Sequence, residues 1–376
     1  MIRGAVAEVD LDAIAHNVRV LRRAVAPAAV WVVVKADGYG HGAVRVARAA
    51  LAAGASGLCV AFVQEGVQLR QAGIDAPVLV LSEQPLETIA DLVTHRLTPT
   101  VYTERYADEL ARYAVGTLAV HVKVDTGMQR VGARPAAVGR LMAHVNGLAP
   151  HLHVAGLFTH LACADEPDHP ANDAQLDLLD RVLADLGPAA PAVVHAANSA
   201  GALALPRARR SLVRCGIAVY GVSPGAGVDH LVGELRPALR LVARVAHVKR
   251  VDAGSHVSYG WRHRFVRDTT VATVPIGYAD GVPRRLGTLA DRPGADVLVG
   301  GRRHPIVGVV TMDQLVVDVG DTDIAVGDEV VLLGAQGGDR IRAEDWADRL
   351  RTIGYEIVCG IGGRVPRVAV PGTEAP

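Results

Sequence analysis

Eight short apolar runs, most of them separated by helix-length segments, fill the chain from about residue 10 to residue 230. They are Val30–Val34, Leu58–Phe62, Val78–Leu81, Thr98–Tyr102, Ala119–Val124, Val154–Phe158, Val193–His195 and Leu212–Arg214. Ala43–Ala53, Thr103–Tyr113, Pro135–Asn146 and Asp173–Leu186 carry helical periodicity between them. Ahead of the first run, AEVD leads into an amphipathic helix with Leu11, Ile14, Val18 and Leu21 on one face and Asp10 or Asp12 as its cap. Strands that alternate with helices pair in parallel, and eight of them predict a closed (β/α)8 TIM-type barrel. A doubly wound open sheet obeys the same local pattern and is the structural alternative.

The rhythm changes after VSPGAGVDHL. Leu239–Val251, Thr270–Ile276, Val307–Val310, Leu315–Val319 and Val330–Leu333 read as β runs punctuated by Gly and Pro, and Ala343–Leu350 carries the one clear helical pattern. A chain of 376 residues has room for a barrel and an appended domain. The expected division is an N-terminal strand over 1–9 that joins the β-domain, a barrel over 10–232, and a mostly β C-terminal domain over 233–376. The final PGTEAP reads as a frayed end.

Basic and acidic side chains balance at 39 each, which implies neither a nucleic-acid footprint nor an acidic tail for a partner. MIRGAVAEVDLDAIAHNV lacks the apolar stretch of a signal peptide. Ala49–Val63 is interrupted by glycines and falls short of the about 20 residues that cross a bilayer. Cys59, Cys163, Cys215 and Cys359 are widely separated, with no CxxC pair and no zinc spacing. They read as small buried hydrophobes of a cytoplasmic protein, and metal binding has no support.

A barrel of this type gathers its active site at the C-terminal ends of its strands, so the residues after each run should form one chemical set. WVVVKADGYGHG delivers Lys35, and VHVKVDTGMQR delivers Lys123 and Arg130. GLFTH ends at His160, VVHAANS at Asn198 and Ser199, and SLVRCGIAVYG supplies Arg214, Gly216 and the amides that follow. Such a set suits a phosphorylated cofactor whose carbonyl a lysine can capture. Pyridoxal 5'-phosphate fits, with its aldehyde for Lys35, its phosphate for Ser199 and the Gly216–Ile217 amides, and its ring nitrogen for Arg214. Plainer readings exist: Lys35 as a strand's first exposed residue, His160 as a core histidine, Arg214 as an ion-pair partner, Lys123 salt-bridged to Asp125. GYGHG lacks the G-x-G-x-x-G spacing of a dinucleotide loop.

On VDLDAIAHNV, VVVKADGYGHG, VKVDTGMQRVG, LFTHLACAD, HAANSAGAL, VRCGIAVYG, HVSYGWRHRF, VPIGYADGVPRRL, VGVVTMDQ and IGYEIVCGIGGRVPR, the sequence resembles the bacterial alanine racemases over nearly its whole length. The resemblance implies a homodimer of head-to-tail subunits, each with a cofactor-bearing barrel and a β-domain. By matched motif, Lys35 carries the cofactor, and Tyr39, Ser199, Gly216, Ile217 and Tyr355 bind its phosphate, with Asn198 beside them. His160 packs by the ring and Arg214 faces its nitrogen. Arg130 approaches the phenolic oxygen and the substrate carboxylate, and Lys123 matches a lysine that is often carbamylated in this family. The neighbouring subunit is expected to supply Tyr259 as the second base, the Met312 amide for the substrate carboxylate, and Tyr278 at the entrance.

The activity so implied is interconversion of L- and D-alanine by a Lys35/Tyr259 two-base mechanism, supplying D-alanine for peptidoglycan. An arginine at the ring nitrogen donates a hydrogen bond but does not readily give up its proton, its pKa lying above about 12, which suits fast proton return. The chain departs from the family at Val309, often arginine, at Thr311, often cysteine, and at Gly354, where proline is commoner. The rival readings are a decarboxylase of the same plan, which favours an acidic ring partner, a racemase of serine or another small amino acid, and a cofactor-carrying barrel without catalysis.

Overall fold

Runs of β-branched residues with no polar alternation mark strands buried on both faces. A computed structural model describes residues 4–370. After β1 (Val6–Asp10) come β2 (Ala29–Val33), β3 (Gly57–Val60), β4 (Val78–Val80), β5 (Thr100–Val101), β6 (Leu118–Lys123), β7 (Leu152–Phe158), β8 (Val193–His195) and β9 (Leu212–Cys215). β2 to β9 pair in parallel in the order β4-β3-β2-β9 and β5-β6-β7-β8. Two seams join these sheets. The Val80 amide donates to the Thr98 carbonyl at 2.9 Å, and the Ser211 and Arg214 amides donate to the Val194 and Ala197 carbonyls, each at 3.0 Å. The ring therefore closes, and the open-sheet alternative is excluded.

The barrel belongs to a unit spanning Asp12–Arg236. Its interior is notched to take rings. Trp31 of β2 is in register with Gly57 of β3, where a Cβ would stand 2.5 Å from the indole. His121 of β6 is in register with Gly156 of β7, where a Cβ would come within 2.9 Å of the imidazole. The two rings stack across the barrel with centroids 5.9 Å apart.

The second unit holds the chain up to Leu11 and from Pro237 onward. Its strands are β10 (Leu239–Arg244), β11 (His247–Val251), β12 (His256–Val257), β13 (His263–Arg264), β14 (Thr269–Val274), β15 (Asp296–Val299), β16 (Arg302–Val307), β17 (Leu315–Gly320), β18 (Glu329–Gln336), β19 (Asp339–Ile341) and β20 (Arg367–Val370). The main sheet runs β11-β14-β17-β16-β15-β18-β10-β1-β20, with β19 on β18 and the β12-β13 hairpin separate. β1 pairs antiparallel with β10 and parallel with β20.

Three readings of this half need correction. Leu239–Val251 is two strands, since the chain leaves the sheet at Val245 and Ala246 and β11 pairs at the opposite end. Of the run at Val307–Val310 only Val307 lies in a strand: it ends β16, which begins at Arg302 and passes through Pro305; the polar GRRHP start hid that strand, and Gly308, at φ 71°, stops it. A second helix, Gly354–Cys359, follows Ala343–Leu350, its six residues too short to show a period.

Since Gly57 has no room for a methyl group against Trp31, Gly57→Ala should lower stability by about 1–3 kcal/mol, the usual cost of overpacking. Urea unfolding followed by circular dichroism measures it, and Trp31→Leu in the same chain should recover part of the loss. Full stability in the single variant would contradict the close packing.

Candidate active site

The chain leaves β2 through a left-handed turn. Ala36, Asp37 and Gly38 have φ of 52°, 51° and 61° with ψ near 50°, and Tyr39 and Gly40 continue at positive φ. Such a conformation costs about 1–2 kcal/mol for each residue with a Cβ, so neighbours must hold it. The Gly38 amide donates to the Val34 carbonyl at 2.8 Å, Gly40 to Ala36 at 2.9 Å and Gly42 to Asp37 at 2.8 Å. The Asp37 carboxylate accepts from the Ala43 amide at 2.8 Å, tying the turn to the helix Ala43–Ala52. Lys35 stands at the root of this turn, partly buried.

Arg214, on β9, is 3% exposed. Its Nη1 donates to His195 Nδ1 at 2.6 Å, and its Nη2 to the Thr159 and Ala196 carbonyls at 2.8 and 3.1 Å and, more distantly, to His160 Nδ1 at 3.3 Å. A guanidinium only donates, so His195 Nδ1 must accept and its proton sits on Nε2. That Nε2–H lies 2.9 Å from His121 Nδ1, which must accept in turn. Both imidazoles are thus neutral. Burial, then the Arg214 charge, holds His195 well below its usual range and brings His121 to about 4. Burial lowers Arg214 itself to about 10, which leaves it a cation at neutral pH.

Among the described residues the Arg214 Nε–H has no protein acceptor. It is an unused donor inside the barrel. Ser199 Oγ accepts from the amides of Gly216 at 2.9 Å and Ala218 at 3.3 Å, which directs its own hydroxyl hydrogen elsewhere. A Cβ on Gly216 would stand 2.4 Å from the Tyr39 hydroxyl, so Tyr39, Ser199 and Gly216 converge where only glycine fits. Ile217 opens the short helix beside them, and Asn198 caps the helix Ser199–Ala204 by accepting from Gly201 at 2.9 Å. The Ser199 hydroxyl beside Tyr39, with Arg214 Nε, makes a donor set that suits pyridoxal phosphate.

Lys123 ends β6, 6% exposed, with its ammonium 5.3 Å from the centre of the Phe158 ring and 3.4 Å from the Leu81 carbonyl. Burial, then Arg214 and Arg130, lowers it to about 7, against Asp125, with Lys35 adding least. His160 is held well below its usual range by burial and the same cations. Lys35, Lys123, Arg130 and Arg214 therefore share one field, and Arg130 is the exposed member.

In the second unit, Tyr259 is 71% exposed between Ser258 and Gly260, both at positive φ, and Ser258 Oγ donates to the Val309 carbonyl at 2.6 Å. Met312 and Tyr278 are also exposed. The Tyr278 and Ala279 amides donate to the Thr311 and Met312 carbonyls at 3.0 and 3.1 Å, so the two loops form one platform. Thr311 Oγ1 donates to the Gln314 carbonyl at 2.8 Å and closes the turn under Met312. Tyr355 is the second residue of the helix Gly354–Cys359, and Val309 is buried.

Residues 9–224 match the family model of the alanine racemase N-terminal domain, and residues 238–369 that of the C-terminal domain. The chain belongs to the alanine racemase family. It is 49% identical over 367 residues to the alanine racemase of Symbiobacterium thermophilum, covering 96% of each chain, and 48% identical over 374 residues to that of Thermobifida fusca, covering 97% of each. The alanine racemase crystal structure from E. faecalis superposes with a TM-score of 0.92 at 37% identity, covering 98% of both chains. That from D-cycloserine-producing Streptomyces lavendulae gives 0.92 at 41%, covering 100% of this chain and 99% of the other.

Three residues of this alanine racemase fold escaped the sequence reading. Glu65 accepts from the Ala36 amide at 2.6 Å and from Ala61 and Phe62 at 2.7 and 3.1 Å, bracing the left-handed turn from the next strand's end. Its signal was a carboxylate three residues after the Phe62 that precedes a helix. His121 could have been found by alternation, two residues before Lys123 on the same face of β6. His195, the last residue of β8, had no signal beyond its place.

Lys123 gives a pH prediction. Its native value of about 7 lies below the ordinary 10.5, so the unfolded chain binds more protons between those values and stability rises with pH there. In carbonate-free buffer, Lys123→Met should be more stable than the parent at pH 6, and the gap should narrow toward pH 9. Parallel urea midpoints across that range would contradict the buried, depressed amine.

Proposed function

We propose that this chain is a pyridoxal-phosphate-dependent alanine racemase, acting as a homodimer whose sites are shared between subunits and supplying D-alanine for peptidoglycan. The observation that carries the reading is the pair formed by the unused Arg214 Nε–H and the Tyr39–Ser199–Gly216 convergence, two donor groups of the kind that a pyridine nitrogen and a phosphate require. Tyr39, Ser199, Gly216 and Ile217 would hold the phosphate, with Asn198 ordering that loop and Tyr355 assigned on its family motif. His160 would back the ring. When bound, the cofactor supplies delocalisation of the electron pair left as the α-proton departs.

The protein's own work is proton handling and charge placement. The Lys35 amine takes or returns the α-proton on one face, and Tyr259 of the partner subunit serves the other. Arg130 and the Met312 amide of the partner subunit fix the substrate carboxylate, and Tyr278 lines the entrance. Lys123, neutral in part near pH 7, can combine with CO2 to give a carbamate and a proton, which converts it into an anion able to orient Arg130. Arg214 remains a donor that keeps its proton, since its four named acceptors are neutral carbonyls and imidazoles that pin it in place. An acid at this position would instead draw charge into the ring, as a decarboxylase favours.

Purified protein given L-alanine should lose optical rotation without releasing CO2. Lys35→Ala should abolish the visible absorbance of the lysine-bound cofactor together with racemisation, and an unchanged spectrum refutes its role. Tyr259→Phe should reduce turnover by about 10²–10⁴-fold, the ordinary worth of a positioned acid or base. Mixing Lys35→Ala and Tyr259→Phe subunits should restore activity through hybrid dimers. No recovery despite proven exchange would count against the shared site.

A further inference from the structure

The platform that presents Tyr278 and Met312 is held by a residue outside both loops. Asp280 is fully buried. Its Oδ2 accepts from the Gly277 amide at 2.9 Å, which closes the loop around Tyr278, and its Oδ1 meets Arg364 Nε at 3.3 Å. Arg364 Nη2 reaches Asp313 Oδ1 at 2.7 Å, beside Met312. One guanidinium therefore joins two carboxylates, one from each loop. The backbone is tight enough for this to matter. A Cβ on Gly277 would stand 2.2 Å from the Thr311 carbonyl oxygen, and one on Gly281 would stand 2.3 Å from that of Gly360. The Gly362 amide donates to the Asp280 carbonyl at 2.9 Å, so Arg364 itself is delivered by a segment stitched to the same loop.

We propose that Arg364 is a positioning residue for substrate binding: by bridging Asp280 and Asp313 it sets the Met312 amide and Tyr278 at the spacing that the substrate carboxylate requires. This rests on the racemase reading above. The loops are already linked by two backbone hydrogen bonds, from Tyr278 to Thr311 and from Ala279 to Met312. Those bonds fix separation along one line only. The planar fork adds a second line, through side chains, and stops the Met312 turn from rotating about the first. A lysine, as a single point charge, cannot address both carboxylates in fixed geometry, so the bridge demands arginine.

Arg364→Lys and Arg364→Met test this in the holoenzyme. Both should keep the absorbance of the lysine-bound cofactor and raise the KM for L-alanine at least tenfold, with kcat changed less than threefold in Arg364→Lys. Hydrogen–deuterium exchange should accelerate at least tenfold in peptides covering 276–281 and 310–314, while β2 to β9 remain unchanged. Dimers mixed from Arg364→Met and Lys35→Ala should regain activity with the parental KM, because their one intact barrel is served by an unaltered platform. An unchanged KM in both variants, unchanged exchange in the two loops, or a raised KM persisting in the mixed dimers would overturn the proposal. Should the parent show no racemisation, the racemase reading fails, while loop exchange still decides whether Arg364 orders the platform.

Discussion

Arg214 is a charge almost without solvent, and the interior of the barrel is arranged around the hydrogen bonds that make this tolerable. Burying an ion costs several kcal/mol unless its donors are met. Here they are met by carbonyls of the loops after β7 and β8 and by His195, all of them neutral. The Nη donors are thereby satisfied without the charge being cancelled, and Nε–H is left over. Lys35, Lys123 and Arg130 add to the same field, against Asp125 as the opposing carboxylate that Lys123 feels. A site with this surplus suits anions, and the family's substrate and cofactor bring a carboxylate and a phosphate. Burial first, and the same uncancelled charge after it, keep His160, His195 and His121 neutral, which fixes their donor and acceptor ends.

The strain after β2 belongs to the same arrangement. Ala36, Asp37 and Tyr39 each sit in a backbone region that L-residues avoid. The energy to hold them comes from the local amide bonds, from Glu65 and from the packing of Tyr39 against Tyr220, whose ring centroids are 4.9 Å apart. Tyr220 in turn donates from its hydroxyl to the Val33 carbonyl at 2.9 Å, at the end of β2. The phenol that meets Gly216 and the lysine at the turn's root are thus held by one cluster, and neither can shift alone. Strain of this kind persists only where the surroundings overdetermine it.

The barrel was legible because eight β-branched runs separated by helical periods leave few topologies, and because strand ends can be listed from sequence. Lys35, Lys123, His160, Ser199, Arg214 and Gly216 were found that way, by position. What could not be read was how these groups are held. The left-handed sense of ADGY is a tertiary outcome, since only Gly38 in it favours positive φ. Glu65 acts across 29 residues of sequence, and His195 gains its role only when the seam between β8 and β9 brings Arg214 beside it. In the β-domain the errors were at polar strand starts and short helices, such as GRRHP and GYEIVC, where charge or brevity masks the period. The departures at Val309 and Thr311 are explained by contacts: the first contributes its carbonyl, available from any residue, and the second its hydroxyl, which cysteine would supply more weakly.

The second unit poses the complementary problem, because the groups assigned to substrate lie on its surface. Tyr259 and Trp261 are 71% and 73% exposed, with Met312 and Tyr278 also open to solvent. The backbone beneath them is stiffened rather than loose: Ser258, Gly260 and Trp261 hold positive φ, Ser258 is bonded to Val309, and Trp261 stacks on His256 at 5.1 Å. A mobile loop would bear no such strain. Exposed aromatics on a constrained frame are what a preformed half-site looks like before its other half arrives, since binding then costs little ordering of the loops. On the proposed homodimer a second copy of the chain would be that other half, and the second proton-transfer group would reach the substrate already aimed.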